Sequence, residues 1–202
     1  MVKIGKHALQ NDDRLLHHFN HFKDAILGRR GHNPQSLAED EVWALGQHYG
    51  LATPLLDWTR SPFVAAYFAF QGSNPSSTGR RAVFALHQGL VLQTQNATPP
   101  KLPVKIFRPA SDDNARLINQ AGLFSKTPVN YCIEDCLRKN LPPTTEAKVY
   151  YKISIPDDER GLILKSLNLM NINHATLFPD LYGAAKFTNA HTEVEGYGNY
   201  LP

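Results

Sequence analysis

One stretch, Gln47–Phe70 (QHYGLATPLLDWTRSPFVAAYFAF), limits the possible folds more than any other part of the chain. Its last third, Phe63–Phe70, is apolar on nearly every face of a helix, and such a helix is stable only inside a core. Ser61 and Pro62 supply the N-cap and the first helical position. Upstream, Gly50 and Pro54 bound a segment in which Leu55 and Leu56 predict a short strand entering the same core. Asp57 follows those leucines and precedes Trp58, where an ionised carboxylate costs several kcal/mol unless it is paired or hydrogen-bonded. Two readings stand side by side. Asp57 or Thr59 satisfies backbone N–H groups as a cap, or the polar residues between His48 and Arg60 converge on a cavity. His48, at the end of the preceding helix, is a C-terminal cap or a site group by the same reasoning.

Bulk properties exclude several classes. At 202 residues the chain is long enough for a sizeable core, and it reads as a single domain over 1–202 with a tail at 190–202. A net charge of +3, dispersed along the chain, gives no electrostatic case for nucleic acid or a membrane surface. No apolar run is long enough for a membrane span, and MVKIGKHALQ lacks the apolar core of a secretion signal, so a cytoplasmic protein with no membrane partner is expected. Cys132 and Cys136, four apart, suit neither a redox pair nor a zinc knuckle and read as reduced thiols.

Taken in order, Leu15, Phe19, Phe22 and Ile26 line one face of a helix that Asp12 or Asp13 caps and Gly28 and Gly31 end. His17 and His21 share another face, as two metal ligands would. With no third ligand in view they read as solvated histidines, and no metal is expected. Ser36-Leu37-Ala38-Glu39 matches a capping box and opens a helix that delivers Gln47 and His48 at its end. Strands are predicted at Ala82–Leu86, Val104–Phe107 and Lys148–Ile155, the last alternating as a half-buried strand. Residues 87–103 read as a polar, proline-broken excursion, and a short helix begins at Ser111-Asp112-Asp113. Helices are also predicted at Cys132–Leu137, after Pro156, and before Asn189. The fold class is α+β: a mixed, mostly antiparallel sheet flanked by four to six helices, with the LLDWT strand central.

None of G-x-G-x-x-G, G-x-x-x-x-G-K-[ST], H-E-x-x-H or G-x-S-x-G occurs. What remains is a set of polar residues on apolar elements: His48, Asp57, Thr59, Arg60, Arg116, Gln120 and Asp180. The central stretch resembles the signature of FRG domains, Q-H-[YF]-G-x-x-T-R-L-L-D-W-T-x-S-P-x-x-A-x-x-F-A. ARLINQAGLF, KISIP and LFPDLYGAAKF are similar to later motifs of that family, so the resemblance spans roughly residues 12 to 190. Two departures stand out. No [FY]-R-G tripeptide occurs, which implies a domain lacking its first strand, and Pro54 replaces the arginine that usually follows Thr53.

A fainter similarity links the strand Asp57-Trp58-Thr59 and the helix Val64–Phe70 to the second motif of ADP-ribosyltransferases. It implies an ADP-ribosyltransferase-like fold and NAD as cofactor. Asp57, Gln120 and His48 would then be catalytic, with Thr59, Thr53, Arg60, Arg116 and Trp58 binding the dinucleotide. The reaction implied is cleavage of an N-glycosidic bond through an oxocarbenium-like transition state, in a transferase or NAD glycohydrolase serving as a toxin or phage-defence effector with an antitoxin or host protein partner. Gln120 stands where such enzymes carry a glutamate, so Asp57, or Glu193 or Glu195, would have to supply the carboxylate. The alternative is a non-catalytic module in which Arg60, Arg116 and Trp58 bind a phosphate-bearing ligand or nucleic acid. A third reading is a purely structural partner domain.

Overall fold

The computed structural model describes residues 11–97, 101–109 and 115–198. Among them the elements run α1 (Asp12–Ala25), α2 (Glu39–His48), β1 (Leu55–Thr59), α3 (Pro62–Phe70), β2 (Arg80–Leu86), α4 (Gln88–Gln95), β3 (Lys105–Phe107) and α5 (Ala115–Asn119). Then follow β4 (Gly122–Lys126), α6 (Ile133–Asn140), α7 (Pro143–Val149), β5 (Tyr150–Pro156), α8 (Arg160–Leu169), α9 (His174–Leu177) and α10 (Leu181–Glu193). Small sheets among many short helices make this an α+β protein. The helix start expected at Ser111–Asp113 lies outside the described residues.

Two sheets replace the single one expected. β1, β4 and β3 form one in the order β1-β4-β3, while β2 and β5 pair with each other. The LLDWT strand is therefore an edge and β4 the centre. Burial explains the exchange: β4 is buried from Gly122 to Ser125, whereas β1 exposes Leu56 and Asp57. A continuous buried run suits a middle strand. The β3–β4 pair is antiparallel, with Ile106 opposite Ser125.

The chain divides into two compact units: Met1–Asp57, Gln88–Ser111 and Phe124–Glu146 in the first, Trp58–His87, Asp112–Leu123 and Ala147–Pro202 in the second. In the first unit, Phe19 of α1 and Val42 and Trp43 of α2 form a cluster closed by Leu15, Phe22, Ile26, Leu37, Leu51 and Leu55. Asn11, rather than Asp12 or Asp13, caps α1 by accepting from the Asp13 amide at 2.7 Å. The box at the start of α2 is shifted too. Glu41 accepts from the Ala38 amide at 2.8 Å, so the helix begins at Glu39 and Ser36 stays in the approach. The segment expected as an irregular excursion contains α4, where Val91 is buried. Gln95 at its end covers the edge of β3 by accepting from the Ile106 amide at 2.9 Å.

In the second unit, Val64, Tyr67 and Phe70 of α3 pack with Leu164 and Leu167 of α8, Leu177 of α9, and Val194 and Tyr197. The last two come from the segment expected as a tail. Each is an isolated apolar residue without periodicity, yet each sits in the core. β5 departs in the opposite sense. Tyr151 and Ile153, expected on a half-buried face, are about half exposed (50% and 51%), and only the Ile155 end packs against the core. Gly183 is required by close approach: a Cβ there would lie 1.9 Å from the Phe178 carbonyl oxygen and 2.7 Å from that of His174.

Both ends of the apolar helix α3 are closed by polar groups. At its N-terminus the Ser61 hydroxyl accepts from the Val64 amide at 3.3 Å, and Pro62 takes the first position. At its C-terminus Arg81 donates to the Ala69 carbonyl at 2.9 Å and to that of Asn74 at 2.8 Å, and pairs with Asp157. Arg160 donates to the carbonyls of Phe70 at 3.0 Å, Gly72 at 2.9 Å and Gln71 at 3.2 Å. Helix-end carbonyls otherwise left without partners are thus met by two guanidinium groups. The side chains of Arg81 and Asp157 are only 11% and 12% exposed, so Arg81→Ala leaves buried acceptors and a largely buried carboxylate unpaired. Thermal unfolding of Arg81→Ala is expected roughly 5–10 °C below the parent, against little change for the neighbouring exposed Arg80→Ala.

Candidate functional site

The second unit holds a groove of about 530 Å³ lined by Ser61 and Val64 at the start of α3, Asn119 and Ala121 beside β4, and Asn171, Thr176 and Leu177 around α9. Its walls are tied together by backbone-directed hydrogen bonds. The Thr59 hydroxyl donates to the Gln120 carbonyl at 2.6 Å and accepts from the Ser61 amide at 3.0 Å. The Arg60 amide donates to the Ala121 carbonyl at 3.1 Å. The Gln120 side chain donates to the Leu177 carbonyl at 3.0 Å, and that of Asn119 to the Thr176 carbonyl at 2.8 Å. Thr176 in turn donates to the Asn171 carbonyl at 2.8 Å.

Two lining residues adopt left-handed backbone: Ala121 at φ 47° and Asn171 at φ 60°. Both follow a helix end, α5 and α8, where the chain must reverse. Asparagine tolerates that conformation; alanine carries a Cβ penalty of about 1–2 kcal/mol. The Ala121 turn keeps its shape because Thr59 and Arg60 bond to its carbonyls on one side and Gln120 is anchored to α9 on the other.

Charge lies at the margins of this groove. None of the lining residues is ionisable. Arg116 pairs with Asp180, its Nε donating at 3.1 Å, and its guanidinium lies 5.3 Å from the centroid of the Phe178 ring. Asp180 also caps α10, accepting from the Gly183 amide at 2.9 Å. Arg116 together with this cap holds the Asp180 carboxyl below its usual range. Arg60 is exposed, and its guanidinium makes no hydrogen bond or ion pair among the described residues.

The eight residues singled out from sequence divide between the units. Trp58, Thr59, Arg60, Arg116 and Gln120 belong to the second, where Thr59 and Gln120 are directly bonded. Trp58 is half-buried at the end of β1. His48, Thr53 and Asp57 belong to the first. There Gln47 links two of them, accepting from the Thr53 hydroxyl and hydrogen-bonding the Asp57 carboxylate. His48 is half-buried and meets the Tyr49 ring edge-on, with centroids 4.9 Å apart. The premise of a buried Asp57 does not hold: the residue is exposed, because its strand is an edge. The protein around it still raises its pKa, an effect the Gln47 hydrogen bond opposes. Glu193 lies 3.8 Å from Arg160, and Glu195 is exposed.

Asn119, Ala121, Asn171 and Thr176 escaped the sequence reading as groove residues. The available signal was modest: Asn171-Ile172-Asn173 reads as a turn, but nothing in it indicates which cavity the turn borders. A buried polar chain was equally hidden. Asn173 donates to Asn168 at 2.9 Å, and Asn168 donates to the Tyr197 carbonyl at 2.9 Å, which locks the α8–α9 turn to the C-terminal core segment.

Among families of known proteins, the FRG domain matches residues 2–78. Residues 2–78 belong to the FRG domain family. The FRG match runs through α1, α2, β1 and α3, and so includes His48, Thr53 and Asp57–Arg60. It stops before β2; Arg116, Gln120 and most of the groove lie beyond it. Comparison with curated proteins and with solved structures finds no match. No helix among the described residues is long and apolar enough to cross a membrane.

Two expectations follow from the geometry. Replacing Ala121 by glycine removes the penalty of the left-handed turn, and urea denaturation should show a stability gain of about 1 kcal/mol. The second concerns His174, beside the groove on α9. Its Nδ1 is hydrogen-bonded to the Tyr67 hydroxyl, and its ring stacks on Phe178 at 5.1 Å. Burial, reinforced by Lys186 and opposed by Glu193, lowers its pKa from 6.5. The unfolded chain therefore takes up the proton first. The stability due to a neutral His174 is complete above pH ~6.5 and is lost as pH falls through the lowered folded value. Between pH 7 and 5 the melting temperature of the parent should fall more than that of His174→Asn. The carboxylates with lowered pKa, Asp40, Asp135, Asp157 and Asp180, begin to lose their contribution only near pH 4.

Proposed function

We propose that this protein is a non-catalytic binding module whose groove takes a small phosphate-bearing ligand of nucleotide type. One observation carries the reading: a groove with no ionisable lining residue begins at Ser61, directly after Arg60, whose guanidinium makes no hydrogen bond or ion pair among the described residues. Arg60 is joined through its backbone to Ala121 and is followed by Ser61, both groove residues. Arginine binds phosphate through two parallel N–H donors, and an exposed guanidinium with no carboxylate partner among the described residues is ready to do so. The Asn171 amide, and the Ser61 hydroxyl, which accepts from Val64 and keeps its own proton to donate, are groups of the kind that hold a ribose or a base. A cavity of about 530 Å³ suits a ligand of that size.

The NAD-cleaving reading draws less support from the same residues. An oxocarbenium-like transition state calls for a carboxylate near the ribose, and no groove residue carries one. Gln120, in the position where a glutamate would serve, spends its amide on the Leu177 carbonyl.

Calorimetric titration of the full chain with AMP, ADP-ribose and NAD, alongside an assay for released nicotinamide, tests the proposal. Binding that weakens about tenfold in Arg60→Gln and in Asn171→Gly, with no nicotinamide released, is expected. Nicotinamide release above the buffer blank would replace the proposal with the NAD-cleaving reading. Absence of heat with all three ligands would end it.

A further inference from the structure

The geometry points to a bidentate transition-metal site on the exposed face of α1, formed by His17 and His21 and suited to a divalent ion of tetragonal preference, Cu2+ or Ni2+. The two histidines are one helical turn apart, and their Nε2 atoms approach to 3.1 Å, with ring centroids 4.3 Å apart. Two imidazoles on one helix face could diverge into solvent. These converge, so that one Nε2 donates to the other when both rings are neutral.

A metal bound to both takes the place of that proton, which moves to Nδ1 of the same ring, so both imidazoles remain neutral ligands. At the usual metal–nitrogen distance of about 2.1 Å, Nε2 atoms 3.1 Å apart subtend an angle of about 95° at the ion. That is close to the right angle between neighbouring positions of a tetragonal Cu2+ or Ni2+ shell. It falls short of the ~109° of tetrahedral Zn2+. The order of intrinsic affinity also favours Cu2+ over Zn2+ at nitrogen ligands.

The surroundings support a cation. At about 100° per residue, Asp13, His17, His21 and Asp24 fall within an arc of about 80° on α1. Both aspartates are exposed, so their charge adds a negative field along this face. No cluster of three or more His, Cys, Asp or Glu within metal reach occurs among the described residues, so water completes the shell. The helix itself is held from its other side, where Leu15, Phe19, Phe22 and Ile26 pack in the core of the first unit. The two imidazoles therefore sit on a rigid support, and the entropy of bringing them together is already lost on folding. The site is separate from the groove in the second unit and does not depend on the function proposed for it.

Titration of the full chain with CuCl2 in a non-chelating buffer, followed by calorimetry and by electron paramagnetic resonance, tests the assignment. One site per chain is expected whose spectrum shows two nitrogen ligands in the equatorial plane. His17→Gln and His21→Gln should each weaken binding about a hundredfold, as loss of one of two linked contacts implies. His32→Gln, another exposed histidine in the same unit, should leave it unchanged. Circular dichroism verifies that α1 persists in each variant, since neither histidine contributes to the apolar face. Binding within about threefold of the parent in both variants, or a spectrum without two equatorial nitrogens, would overturn the assignment.

Discussion

The second unit depends on how the ends of one apolar helix are satisfied. α3 buries Val64, Tyr67 and Phe70, and its remaining faces are mostly covered. Its central backbone groups bond within the helix, but the amides of its first turn and the carbonyls of its last have no such partners. Ser61 and Pro62 answer at one end. At the other, the carbonyls of Ala69, Phe70 and Gln71 receive guanidinium donors from Arg81 and Arg160. Those arginines belong to β2 and to the start of α8, so closing α3 also fixes the ladder and the next helix. Asp157 completes the arrangement by pairing with Arg81 and accepting from the Ser76 amide at 2.6 Å.

The groove is a consequence of the opposite end. Capping α3 requires the chain from Thr59 to Ser61 to be held in place, and the donors that hold it reach the turn at Gln120–Ala121. That turn is strained at Ala121 and survives because its neighbours determine its shape. Gln120 then extends the same set of bonds to α9. A row of amides and hydroxyls whose backbone contacts are already made leaves a concave surface with polar edges and no charge. Structural bonding here produces a preorganised wall, the condition under which a small ligand binds without ordering its host.

Sequence reading recovers the parts of this that depend on local periodicity and caps. α1, the apolar α3 with its Ser61-Pro62 start, β2, β3 and the helical C-terminal third all follow from patterns within a few residues of one another. What it misses is set by distant partners. Leu55-Leu56-Asp57 reads as a buried run, yet the strand becomes an edge because Gly122–Ser125 takes the centre. Val194 and Tyr197 show no period, and their burial is decided by α3 and α8. Asp57 is the instructive case: an acid between leucines and a tryptophan suggests an interior site, but strand position determines exposure and no local pattern encodes strand position. For the groove, the Thr59 and Gln120 motifs were visible, while Asn171 and Thr176 enter through a loop whose placement is entirely tertiary.

The distribution of charge in the second unit bears most directly on its chemistry. Its described residues include five arginines: Arg60, Arg80, Arg81, Arg116 and Arg160. Arg81, Arg116 and Arg160 face Asp157, Asp180 and Glu193, while Arg80 is bonded to Ser154 at 2.7 Å. Asp157, Asp180 and Glu193 are thus each drawn to an arginine. Arg60 alone makes no side-chain hydrogen bond or ion pair among the described residues. A groove lined by no acid, with an open guanidinium on the residue before Ser61, opposes the electrostatics of a cation-like transition state and suits those of a bound anion. Moving a carboxylate into this groove would also require a replacement for the bond that Gln120 makes to Leu177, because that amide helps to hold the wall in shape.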